Sequence, residues 1–167
     1  MSATPPTYRA RLRLEGSTLA GFGALGSALL LALADTSTRA PLSTVGQLAV
    51  LGALLAIIGP RATAKALREA RGMRAAALGS GEPTPLWQLP LIVAGLALGF
   101  GALAGWDAAL RVTCGCLLVG LFQALLVERL VARAEAAGGR SYHRVAGSRI
   151  GRGTRLGYAE DNAGAAP

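Results

Sequence analysis

The sequence predicts an all-α fold, a four-span transmembrane helical bundle of two helical hairpins with both termini in the cytoplasm. Three observations predict it. First, mean hydropathy over the 167 residues is +0.45 and only 16% of residues are charged, which is more apolar than an ordinary soluble domain. Second, the charges leave four uncharged windows, 16–34, 40–60, 83–106 and 112–127. At helical rise these cover roughly 24–36 Å, against a hydrocarbon core of roughly 30 Å. Third, with the N-terminus inside, fifteen of the 17 basic residues fall on the inner side and only Arg39 and Arg111 fall outside. That sorting obeys the positive-inside rule. A soluble helical bundle would need polar helix faces, which these windows lack. The net charge of +8 therefore reads first as an orientation signal, and nucleic acid is not an expected partner.

Residues 1–14 form a basic N-terminus, its first residues small, polar and disordered, followed by Tyr8 and alternating Arg9, Arg11 and Arg13. Residues 15–60 are the first transmembrane hairpin. Ala32-Leu33-Ala34 matches a signal-peptidase pattern, so cleavage after the first apolar run stays open as an alternative. In that run Gly16, Ala20, Ala24, Ala28 and Ala32 recur every four residues, a small-residue ridge suited to close helix packing. Asp35 and Arg39 are expected to pair in the first outer turn, with Ser43 or Thr44 capping the second span. Gly59-Pro60 is expected to break or kink that span at the inner surface.

Residues 61–86 are an inner connector. The stretch 61–78 is expected to be a basic helix, either lying along the inner leaflet or solvated, before the flexible linker at 79–85. Residues 87–129 are the second hairpin. Trp87 and Trp106 are expected to mark the two membrane interfaces of the third span. Gly95 with Gly99, and Gly101 with Gly105, make two G-x-x-x-G pairs for packing; Gly120 and Ala124 add a shorter ridge. A turn over 107–111 joins the last two spans, with Asp107 as N-cap and Arg111 pairing with it one turn on. Shifting the first hairpin by seventy-two residues aligns Asp35 with Asp107 and Arg39 with Arg111, which suggests a parallel repeat. Residues 130–167 are a basic cytoplasmic tail: a short helical extension carries Arg133 and Glu135, and Arg140 to Tyr158 are expected to be a disordered anchor, with contact to lipid headgroups or a partner's acidic surface as the alternative.

No catalytic, cofactor-binding or metal-binding constellation is legible. His143 is the one histidine and stands in a Gly/Arg-rich tail. Cys114 and Cys116 are two apart, on nearly opposite sides of a helix, and read as small packing residues. No ionisable residue lies inside the four windows, where Gln47 and Gln123 are the strongest polar groups, and this argues against a proton-coupled carrier.

From Pro90-Leu91 the chain continues through Asp107, Arg111, Leu117-Leu118, Gly120 and Arg129 to Ser148-Arg149. In this pattern residues 88–157 resemble a family of small actinobacterial membrane proteins of unknown function, and the resemblance implies a membrane location. The expected role is a non-enzymatic bacterial inner-membrane protein, an accessory or scaffold subunit. Its expected partners are the anionic inner leaflet and other membrane helices, or a second copy of itself. The alternative is a small transporter or channel component working as an oligomer.

Overall fold

The computed structural model describes residues 7–33, 40–73, 87–144 and 156–159, most of them helical. The elements run α1 (Tyr8–Leu33), α2 (Ala40–Arg68), β1 (Arg71–Met73), α3 (Gln88–Ala104), α4 (Trp106–Leu121), a π segment (Phe122–Val127), α5 (Glu128–Gly138), β2 (Tyr142–Arg144) and β3 (Leu156–Ala159). Among the described residues three helical runs are long and apolar enough to cross a membrane: Tyr8–Leu33, Ser43–Arg68 and Trp106–Gly138. The apolar helix Gln88–Ala104 is shorter, with 17 residues.

Local chemistry sets the helix ends. Thr7 starts α1, its hydroxyl accepting from the Ala10 N–H at 3.3 Å, so one orphan donor of the first turn is satisfied. Gly139, at φ 61° and ψ 22°, ends α5 in the left-handed conformation that glycine adopts without penalty. Among the described residues a reversal of one residue is at Gly105, which is both the residue after α3 and the residue before α4. Its φ of 86° and ψ of 165° lie in a region essentially reserved for glycine.

Helix α4 is the hub of the molecule. It packs along α1, against α3 and, less extensively, against α2, while α1 and α2 scarcely touch. Glycine allows the α1–α4 contact: a Cβ at Gly16 would stand 2.8 Å from Ala124 N and Gly120 O, and one at Gly23 2.5 Å from Leu117 N. A Cβ at Gly120 would collide with the backbone of Ala20 and Gly16. The two backbones therefore approach closely enough for extensive dispersion contact. At one end of this pair Leu12, Val127 and Val131 form a small core, with Tyr8, Phe122 and Tyr142 packed on it.

At the same end the short strands form a three-stranded sheet in the order β1-β3-β2. Strand β3 runs parallel to β1, with Gly72 opposite Tyr158, and antiparallel to β2, with His143 opposite Gly157. The N-terminal end of α1, α5 and β2 meet there.

Several expectations are corrected. The described residues are mostly helical, as the all-α expectation has it, and a small three-stranded sheet accompanies the helices. The stretch 61–78 is not one helix: α2 ends at Arg68 and residues 71–73 are a strand. The tail is not wholly without structure, since Tyr142–Arg144 and Leu156–Ala159 pair with other strands. Helix α2 passes through Gly59-Pro60. Side-chain donors after the proline reach back to carbonyls before it, Arg61 Nη1 to Ile57 O at 3.1 Å and Thr63 Oγ1 to Gly59 O at 2.9 Å. Ser43 and Thr44 lie inside α2 rather than capping it, and Asp107 lies in the first turn of α4 rather than at its N-cap. The expected turn over 107–111 is helix, because Gly105 alone makes the reversal. The repeat suggested by the seventy-two-residue offset does not extend to packing, for α3 and α4 pack together as α1 and α2 do not.

Candidate functional site

The polar chemistry of the described residues concentrates at the end that carries the sheet. Arg9 and Arg13 are one helical turn apart on α1 and so share a face. Both reach Glu128, which directly follows the π segment. Arg9 Nε donates to Glu128 Oε1, and Arg13 Nη2 lies 2.9 Å from the same oxygen. The Glu128 backbone N–H bonds to Gln123 O, five residues back, the wide turn that defines a π-helix and often marks functional positions. Next to this triad Arg11 Nε bonds Glu15 Oε1 at 2.6 Å.

The triad is asymmetric. The Glu128 side chain is 6% exposed, whereas those of Arg9 and Arg13 are 40% and 61% exposed. A desolvated carboxylate needs its partners; a half-solvated guanidinium needs them less. The double variant Arg9→Gln/Arg13→Gln should therefore lose more thermal stability in detergent than Glu128→Gln. Adding Glu128→Gln to the double variant should restore part of the loss. Melting curves that rank these variants in the opposite order would show that the carboxylate is not the member that depends on the pairing.

Beside the triad an open groove of about 680 Å³ runs along the seam between α1 and the π segment. Arg13 and Ser17 line it on the α1 side and Glu128 and Arg129 on the other, with Leu14 and Leu125 as apolar wall. On the far side of the triad, the Tyr142 N–H donates to Glu135 Oε1 at 3.2 Å, and the Arg140 guanidinium stands 4.5 Å from the centroid of the Tyr158 ring. His143 is buried in β2, and its Nδ1 has no hydrogen-bond partner among the described residues.

A second polar cluster lies inside the α1–α4 contact. Ser27 Oγ donates to Gly23 O at 2.8 Å and is 2.9 Å from Thr113 Oγ1 and 3.3 Å from Cys114 Sγ. Hydroxyl pairs of this kind between apolar helices contribute about 0.6 kcal/mol on average, so the cluster fixes the rotational register of the two helices more than their affinity. Cys114 thus has a hydroxyl neighbour as well as a packing position. Both cysteines are free, and among the described residues no group of three or more His, Cys, Asp or Glu could hold a metal ion.

The remaining expected residues fall as follows. Gly16 and Ala20 lie in the α1–α4 contact, but Ala24, Ala28 and Ala32 are exposed. The buried row is Leu12, Gly16, Ala20, Gly23 and Ser27, because a strict four-residue step drifts about 40° per step around a helix of 3.6 residues per turn. On α3, Gly95 and Gly99 face open space. Gly101 lies under the Trp106 ring, whose Cζ3 would be 2.7 Å from an added Cβ. Trp87 and Trp106 stand at the two ends of α3. Arg111 Nη2 donates to Ser43 Oγ at 3.1 Å, joining α4 to α2, and Asp107 in the first turn of α4 faces the positive end of its dipole. Asp35 and Arg39 lie outside the described residues. Of the two polar side chains singled out in the windows, Gln47 is exposed on α2 and Gln123 belongs to the π segment.

The Arg9–Glu128–Arg13 triad is absent from the sequence reading. One signal could have found it: Glu128 is the acid at the inner edge of the fourth window, and Arg9 and Arg13 share a helical face just before the first. No family model, curated protein or solved structure matches the chain.

Proposed function

We propose that the chain is a four-span bacterial inner-membrane protein with both ends cytoplasmic, serving as a non-enzymatic accessory or scaffold subunit that packs against other membrane helices. One observation carries the reading: apolar helix surface is left uncovered. Only 6% of the apolar window of α2 is buried, and Val50, Leu54, Ile57 and Ile58 on it are exposed. On α3 the exposed Leu91, Ile92 and Leu98 flank the open Gly95 and Gly99. In water such a surface would drive aggregation; in a bilayer, lipid and neighbouring helices cover it.

The orientation is supported by the gathering of basic residues at the sheet end, Arg9, Arg11 and Arg13 from α1, Arg129 and Arg133 from α5, and Arg144 from β2. Helix α3, at about 25 Å, is the shortest of the proposed spans. Interfacial Trp87 and Trp106 at its ends would let it cross with slight local thinning of the bilayer. The resemblance of residues 88–157 to the actinobacterial membrane family belongs to the same proposal.

Reporter fusions at each end test the topology: both should report from the cytoplasm, and an exterior signal from either overturns it. Purification in mild detergent tests the role. A stoichiometric membrane partner is the expected result, and a chain that remains alone and conducts ions or solutes in vesicles would replace the scaffold reading with a channel.

A further inference from the structure

We infer that the groove between α1 and the π segment is a binding site for one anionic phospholipid, its phosphodiester held by Arg13 and Arg129 and an acyl chain laid along the apolar wall below. The inference rests on the membrane reading above and adds a defined lipid partner to it.

Charge complementarity selects the headgroup. Two guanidiniums, those of Arg9 and Arg13, pair with one carboxylate, that of Glu128, and a third, that of Arg129, lines the same groove. Both ion pairs of Glu128 use Oε1, so the acid is already engaged by α1 arginines. Arg129 is exposed and forms no ion pair with another described residue. Its guanidinium is available for the bidentate pairing with phosphate that its planar fork favours. The Ser17 hydroxyl also lines the groove and donates to Leu14 O at 3.1 Å.

The wall beneath selects lipid over a soluble phosphate. Leu14 and Leu125 line the groove itself, and both are half exposed, at 52% and 54%. On α1, positions 14, 21 and 25 fall within an arc of about 40° at 100° per residue. The track therefore continues past Gly21, which has open space where a side chain would be, to the exposed Leu25. On the other side Leu121, one turn before Leu125, is exposed as well. A charged mouth opening onto an apolar track of this form fits a headgroup and its chain, and the mouth lies where an inner-leaflet headgroup would be.

The test uses native mass spectrometry on the full-length chain in detergent. Phosphatidylglycerol is titrated against phosphatidylcholine of the same acyl chains, with and without inorganic phosphate. The wild type should retain phosphatidylglycerol in preference, and Arg129→Gln should lower that retention about fivefold, the effect of one basic residue near a charged headgroup. Arg129→Lys should keep most of it, and Lys65→Gln, elsewhere among the inner basic residues, should change nothing. Because Arg129 forms no ion pair among the described residues, unchanged melting curves will separate loss of the site from loss of the fold. Equal retention of the two lipids by the wild type, or an Arg129→Gln variant that binds as the wild type does, overturns the site while leaving the membrane reading intact. Full competition by inorganic phosphate overturns lipid as the occupant. A chain that stays monodisperse without detergent overturns the membrane reading and the site together.

Discussion

Gly120→Leu separates α1 from α4. An added Cβ at this position runs into the backbone of Ala20 and Gly16, and backbone cannot move aside as the tip of a side chain can. Overpacking at a side-chain contact typically costs about 1–3 kcal/mol, and a backbone contact at the hub belongs at the upper end of that range. Thermal unfolding in detergent should fall by roughly 10 °C, and cysteine cross-linking between the two helices should weaken. Gly99→Leu is the matched control, since Gly99 faces open space and the substitution should stay within about 0.5 kcal/mol in the isolated chain. Equal melting temperatures for the two variants would contradict the packing described. A loss of partner binding by Gly99→Leu alone would instead identify α3 as the docking helix of the scaffold.

Gly105→Ala strains the α3–α4 reversal. Nothing lies within 4 Å of an added Cβ there, so the effect is one of backbone conformation alone. At φ 86° and ψ 165° an L-residue pays about 1–3 kcal/mol. The strain can be relieved only by lengthening a reversal that has no other residue in it. A lower melting temperature and looser protection of the Trp106 indole are the expected results, because that ring is held over Gly101 by the reversal. Gly95→Ala, in open space inside α3, exchanges a poor helix former for the best one and should be neutral or slightly stabilising. Gly105→Ala and Gly95→Ala melting alike would show that the reversal tolerates an ordinary residue.

Much of the triad could be read in the sequence, but its closure could not. Arg9 and Arg13 share a face by spacing alone, and Glu128 stands at the inner edge of an uncharged window. What brings them together is the rotation of α4 against α1, which Gly16, Gly23 and Gly120 permit and the Ser27–Thr113 hydroxyl pair fixes. The Gly/Ala ridge shows the same division. Its first two members pack, and the rest turn outward, because a repeat of four is not the period of a helix. The strands at 71–73, 142–144 and 156–159 gave little local signal, each being three or four residues whose pairing depends on a partner distant along the chain.

The sequence by itself determined where the apolar runs fall and which end of the molecule is basic. Hydropathy and charge are additive along the chain, so each residue contributes without reference to its neighbours in space. Only the tertiary structure decided that α4 is the hub, that one glycine makes the second reversal, and that a buried glutamate draws two arginines across from α1. These outcomes depend on which face of one helix meets which face of another, and that rotation is set by close contact between backbones rather than by composition.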